Sequence, residues 1–161
     1  MRKPEALPDD VFITATGPLT AADAVAAILV LDDGRYVMQL RDPLPGIFYP
    51  GHWGCFGGAV EPGEQPMEAL VRELEEELEL EVTSASEFTR FDFDLSRLGQ
   101  KRVFRVYFEV TISGATFEKL VLHEGREVRA FSGADILNET RVTPYDAFAI
   151  WLHCRRKRMR G

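Results

Sequence analysis

Cysteine is scarce in this chain. Cys55 and Cys154 are the only two among 161 residues, and their spacing fits no metal motif. No disulfide framework is expected, and two free thiols in a reducing cytoplasm are the reading. Histidine is equally sparse, and His52, His123 and His153 lie too far apart in sequence to suggest a ligand set. Long hydrophobic runs are missing too. The longest, Ala24–Leu31, falls far short of the ~20 apolar residues that span a bilayer, so no membrane partner is expected. After Met1-Arg2-Lys3 come Pro4, Glu5 and Asp9-Asp10 instead of an apolar stretch, which speaks against a secretory signal and for a cytoplasmic protein. Positive charge is in deficit, with a net charge of −7, and this argues against a nucleic-acid partner. Repeats and low-complexity linkers are absent, so residues 1–161 read as one domain with an irregular start over 1–10.

The charge that is present is unevenly placed. Arg155-Arg156-Lys157-Arg158 and Arg160 form a basic tail over 155–161, while acid crowds Glu61–Glu81. Cations at the end of a closing helix complement its dipole. An RNA- or phosphate-binding tail is the competing reading.

Hydrophobic periodicity supplies the elements. A strand is expected at Val11–Thr16. The apolar run Ala24–Leu31 and a strand at Tyr36–Arg41 are joined by an Asp32-Asp33-Gly34-Arg35 hairpin turn. Asp42–Pro50 reads as a loop, and His52–Val60 as a Gly-rich stretch. Pro66–Leu78 is the clearest helix, with Met67, Leu70, Val71, Leu74 and Leu78 as its apolar stripe. A broken strand over Glu81–Leu95, strands at Arg102–Ile112 and Val128–Phe131, and a helix at Pro144–Arg158 follow, the last with Phe148, Trp151 and Leu152 inward. Both faces of Arg102–Ile112 are largely apolar, which suggests a strand between two layers. This order favours an α+β fold with a mixed sheet and helices on its faces.

The segment Gly58–Leu80 reads GAVEPGEQPMEALVRELEEELEL. At about 100° per residue, Glu73, Glu76 and Glu77 fall within one sector beside the apolar stripe. Glu68, Arg72, Glu75 and Glu79 take the outer face. Like charges at i and i+4 repel by a few tenths of a kcal/mol, roughly, so the patch gains nothing without a compensating cation. Hard divalent cations prefer such oxygen ligands. A solvated Glu-rich helix face is the competing reading for the helix alone. The preceding Gly57-Gly58 lets backbone approach a ligand closely.

These positions resemble the signature of the Nudix hydrolase family. Gly58, Glu64, Arg72, Glu73, Leu74, Glu76, Glu77 and Leu80 match it in register, and Glu79 stands where the family has glycine. The resemblance implies an α/β/α sandwich around a mixed β-sheet. It implies metal-dependent hydrolysis of the pyrophosphate bond of a small nucleotide, with Mg²⁺ or Mn²⁺ as cofactor and a homodimer as one arrangement open to the chain. It assigns Glu73, Glu76, Glu77 and the Gly57 carbonyl to metal. It gives Arg72 the orientation of a signature glutamate, Gly58 support of the loop, and Glu64 either support of the loop or of a further metal through water. The general base comes either from the signature helix, with Glu73 the choice there, or from a later loop. In that loop Glu124 of Leu122-His123-Glu124-Gly125-Arg126-Glu127 leads and Glu127 competes, with an exposed turn residue as the plain alternative. Glu79 leaves the end of the helix open to question.

Around this core, Arg41, Phe91 and Arg102 are the chosen substrate contacts, with Lys101 and Arg105 as further cations. Trp53 reads as a packed aromatic or as a base-stacking one. The substrate reads as a nucleotide sugar such as ADP-ribose or as a (deoxy)nucleoside triphosphate. A non-catalytic nucleotide- or RNA-binding module, RNA decapping, and an isomerase using Cys55 are the alternatives on the same fold.

Overall fold

A computed structural model describes residues 20–44, 46–138 and 141–159, so the strand expected at Val11–Thr16 lies outside the described residues. The strands are β1 (Ala24–Leu31), β2 (Tyr36–Leu40), β3 (Trp53–Gly54), β4 (Ala85–Asp94), β5 (Arg102–Ile112) and β6 (Glu127–Phe131). The helices are α1 (Pro66–Leu78), α2 (Gly114–Phe117), α3 (Gly133–Asn138) and α4 (Pro144–Met159). One sheet runs β3-β2-β1-β5-β4, with β6 added to β2. β1 and β5 are parallel and the other pairs antiparallel, so the sheet is mixed.

Alternation along β1 builds two cores. Val25, Ala27, Leu29 and Leu31 join Leu70, Leu74 and Leu78 of α1 on one face. Ala26 and Ile28 join Tyr107, Ile136, Ala149 and Ile150 on the other, beneath α3 and α4. Burying both faces of the central strands removes each such side chain from water, worth about 1.5–3 kcal/mol apiece. The result is the α/β/α sandwich expected above.

Both helices are rotated from their expected settings. In α1 the buried residues are Ala69, Leu70, Leu74, Glu77 and Leu78, whereas Met67 and Val71 are exposed. The turn carries Glu77 onto the sheet and moves the outer edge of the apolar stripe into water. In α4 the sheet-facing positions are Asp146, Ala149, Ile150 and His153, at i, i+3, i+4 and i+7, while Phe148 and Trp151 are exposed. Hydrophobicity pointed to the wrong face because α4 buries an acid and an imidazole that find partners on the sheet. Within β4 the register shifts between Glu87 and Thr89, and this bulge puts Phe88 and Phe91 on the same, α4-facing side.

The ends of α1 are locally specified. Pro66 begins it, and the Glu68 carboxylate accepts the Gln65 N–H at 2.8 Å. Glu79 ends it in the left-handed region, at φ 52°, with Leu80 N–H donating to Leu74 O at 3.2 Å. The helix therefore stops at Glu79, the position to which the resemblance gives a glycine.

Candidate active site

The Gly57-Gly58 turn is wedged between β1 and α1. Gly57 adopts φ +131°, and a Cβ there would lie 2.3 Å from Val25 O. At Gly58 a Cβ would meet Glu73 Oε1 at 2.5 Å. Neither position admits a side chain without displacing backbone or the carboxylate beneath it. The turn hangs on β1 through Val25 N–H to Gly58 O (2.9 Å) and Ala27 N–H to Phe56 O (2.8 Å). The Gly57 carbonyl accepts no hydrogen bond from a described residue.

Beneath the turn the carboxylates converge. Glu77 is 4% exposed, and its Oε2 accepts the Gly57 N–H at 3.0 Å. Burial pushes its carboxyl up to about 8, opposed by the Gly57 bond and reinforced by the charges of Glu124 and Glu73. Glu73 is raised as well, chiefly by burial, with Glu76 and Glu124 adding repulsion against the pull of Arg72. Both groups thus feel the charge of Glu124, an exposed residue on the loop before β6. Glu127 instead pairs with Arg129 at 2.6 Å on β6. Gln39, almost fully buried on β2, donates its Nε2–H to Cys55 O at 3.5 Å and lies near enough to Glu77 to oppose its upward shift slightly. Nothing in the sequence marks a strand glutamine for that place.

Arg72, assigned by the helical wheel to the outer face, folds back over the turn. It holds Glu64 in a bidentate pair (2.9 and 3.0 Å), Glu73 at 2.7 Å, Glu76 at 3.4 Å and the Ala59 carbonyl at 3.0 Å. The guanidinium thus bridges Glu64 and Glu73, and Glu64 ties it to the turn. Glu76 differs from its partners. Its side chain is 62% exposed and reaches only Arg72.

Among the described residues no three acidic, histidine or cysteine groups close around a single point. Arg72 holds Glu73 and Glu76, and the Gly57 N–H holds Glu77. The donor set nonetheless fits a hard divalent cation. Carboxylates are kept beside the Gly57 carbonyl where burial and like charge disfavour them, and a cation would relieve that cost.

Across the sheet lies a second polar group that sequence reading missed. Asp146, 1% exposed, accepts the Cys55 N–H (2.9 Å), Thr143 Oγ1–H (2.7 Å), Tyr107 O–H (2.7 Å) and Arg105 Nη2–H (3.3 Å). Arg105 lies over the Tyr107 and Tyr145 rings, 5.3 and 4.9 Å from their centroids. Phe91 joins this side, 5.5 Å from both Tyr107 and Phe148. Arg41 reaches toward it past Gly54 and donates to Phe48 O at 3.0 Å. Arg102 stands elsewhere, 82% exposed and paired with Asp94 at 2.9 Å. Trp53 is packed between Phe131 and Arg129. Cys55 is buried in the α4-side core, and burial pushes its thiol well above the ordinary range. The three histidines lie in three separate places. His52 contacts Pro50 O, His123 contacts Glu79, and His153 is fully buried between Tyr36 and Glu109.

Comparison with known proteins follows the same lines. The family model described as NUDIX domain matches residues 20–152. The nucleoside triphosphatase NudI of Escherichia coli (strain K12 / DH10B) is 48% identical over 50 residues, which is 31% of this chain and 35% of that protein. The chain thus matches about a third of the length of that relative. A MutT protein from Methanosarcina mazei Go1 superposes with a TM-score of 0.71 at 20% identity, over 88% of this chain and 99% of that one. A MutT structure described for Aliivibrio salmonicida and Vibrio cholerae is 31% identical, with a TM-score of 0.57 over 72% of this chain and 83% of that one.

Proposed function

The chain belongs to the Nudix family, and on that premise we propose that it is a divalent-metal-dependent pyrophosphohydrolase acting on a small nucleotide. The observation that carries the reading is the packing of Glu73 against Gly58 and of Glu77 against the Gly57 N–H, with Glu77 buried and pushed up to about 8. A fold that keeps such a cluster has a use for the cation that neutralises it.

Glu73, Glu77 and the Gly57 carbonyl, with Glu76 from the outer edge, would hold Mg²⁺ or Mn²⁺. Such an ion supplies neutralisation of diphosphate charge and makes water a better nucleophile. The chain's own groups do the rest. Arg72 fixes Glu73 relative to the turn through its bonds to Glu64 and Ala59 O. Glu124, on a loop apart from the metal-holding helix, takes a proton from the attacking water. Water then adds to phosphorus, the P–O bond to the leaving phosphate breaks, and the proton leaves through Glu124. Arg41 and the aromatic surface of Phe91, Tyr145 and Phe148 are the reading for the rest of the nucleotide.

NudI carries the words nucleoside triphosphatase, and this makes nucleoside triphosphates the first substrates to try, followed by nucleotide sugars such as ADP-ribose. A panel of both with Mg²⁺ or Mn²⁺, resolved by chromatography, tests the proposal. Release of a nucleoside monophosphate is expected. Intact phosphoanhydrides across the panel would sink it.

A further inference from the structure

We propose that Glu79, which replaces the family glycine, is a positioning residue that holds the Glu124 loop through His123. The inference rests on the hydrolase reading above. Glu79 occupies the left-handed region at φ 52°, which glycine adopts freely and which other residues adopt at a cost. A glutamate here forgoes that freedom. Its carboxylate is not idle, however, since Oε1 accepts His123 Nε2–H at 2.7 Å.

The placement of that bond gives it meaning. The loop is moored to the end of α1 by Val121 N–H to Leu78 O (3.2 Å) and His123 N–H to Glu77 O (2.9 Å). These bonds use carbonyls that the last helical turn leaves unpaired. On the far side the loop is moored to β2 and the segment after it, through Gly125 N–H to Asp42 Oδ2 (3.1 Å) and Arg126 N–H to Leu40 O (2.8 Å). Glu124 is the single residue between the two moorings. The Glu79–His123 contact is the side-chain tie on the α1 side, directly before it. Both partners are about half exposed, at 57% and 49%, so the pair contributes little to global stability. Its effect falls on where Glu124 rests, and proton transfer is sensitive to such placement.

Replacement by glycine therefore separates the two roles of the position. In Glu79→Gly the backbone cost disappears and the tie is lost. The melting temperature is expected to hold or rise while kcat falls by roughly 10-fold, short of the ~10²–10⁴-fold expected for losing a general base. KM is expected to change little. Glu79→Gln keeps an acceptor oxygen and should recover most of the lost kcat, and His123→Ala should match Glu79→Gly. The double variant Glu79→Gly/His123→Ala should be no slower than either single one. Amide exchange over 121–125, measured without substrate, should quicken in each glycine or alanine variant. Unchanged kcat in Glu79→Gly, or multiplicative losses in the double variant, would overturn the proposal, and so would unchanged exchange. A wild-type chain that cleaves no phosphoanhydride overturns the hydrolase reading instead, and the exchange measurement still reports on the tie.

Discussion

Glu77 carries a carboxyl where the fold disfavours its ionised form. It is buried, repelled by Glu73 and Glu124, and compensated by the Gly57 N–H and Gln39. An amide at this position keeps the shape and drops the charge. Glu77→Gln is expected to leave the melting temperature unchanged or raised, because it removes a carboxyl that ionises freely only in the unfolded chain and so favours unfolding at neutral pH. Turnover should fall about 10²-fold or more, with the Mg²⁺ requirement shifted to higher concentration. Rates measured against Mg²⁺ concentration, beside a thermal melt, check both halves. Glu124→Gln separates from it cleanly. Its turnover should drop by about 10²–10⁴-fold with the metal requirement little changed. Full turnover in that variant would move the general base to Glu73. Gly58→Ala tests the packing beneath the turn. A Cβ 2.5 Å from Glu73 Oε1 forces the carboxylate aside, so activity should collapse even where the fold survives.

Among the elements, α4 shows where sequence patterning stops being informative. Its buried row includes Asp146 and His153, polar residues that hydrophobic periodicity assigns to water. Each is buried because strands far away in sequence bring a partner: Tyr107 and Arg105 for Asp146, Tyr36 and Glu109 for His153. Such pairings span tens of residues and leave no local trace, which is why Phe148 and Trp151 were expected inward. α1 was legible because its chemistry is local. The spacing of Glu73, Glu76 and Glu77 on one helix, a Pro at its start and a Gly-Gly turn before it are all visible within one short segment. Even so, Gln39 escaped notice, since only β2 pairing brings it beneath Glu77. His153 yields a pH prediction. Burial lowers its pKa below the ordinary 6.5, against the pull of Glu109. A base with a depressed folded pKa binds its proton more readily when unfolded, so the stability it contributes is present above pH 6.5 and is lost as pH falls below it. Glu77, raised to about 8, acts with the opposite sign over the same range, so the His153 contribution is read as a difference: between pH 7.5 and 5.5, roughly, His153→Gln should gain melting temperature relative to the wild type as pH falls.

At the scale of the molecule, two apolar layers share one sheet and the carboxylate cluster occupies the edge of only one of them. The α1-side core rests on Leu70, Leu74 and Leu78 against β1 and β5, and the α4-side core on Ile28, Tyr107 and Ile150. No helix of the described residues is long and apolar enough to cross a membrane. Neither core contains Glu73, Glu76 or Glu124. It follows that the metal should be needed for chemistry and not for folding. Excess chelator is expected to abolish hydrolysis while the far-ultraviolet circular dichroism spectrum stays unchanged. Returning Mg²⁺ should restore the rate and raise the melting temperature, since a ligand that binds only the folded state stabilises it by RT ln(1 + [L]/Kd), about 2.7 kcal/mol at 100 times Kd. In Glu77→Gln that Mg²⁺-dependent rise should shrink, because the carboxyl that would give up its proton to hold the cation is gone. Hydrolysis that persists in excess chelator would remove the metal from the mechanism, and the buried carboxylates would then need another explanation.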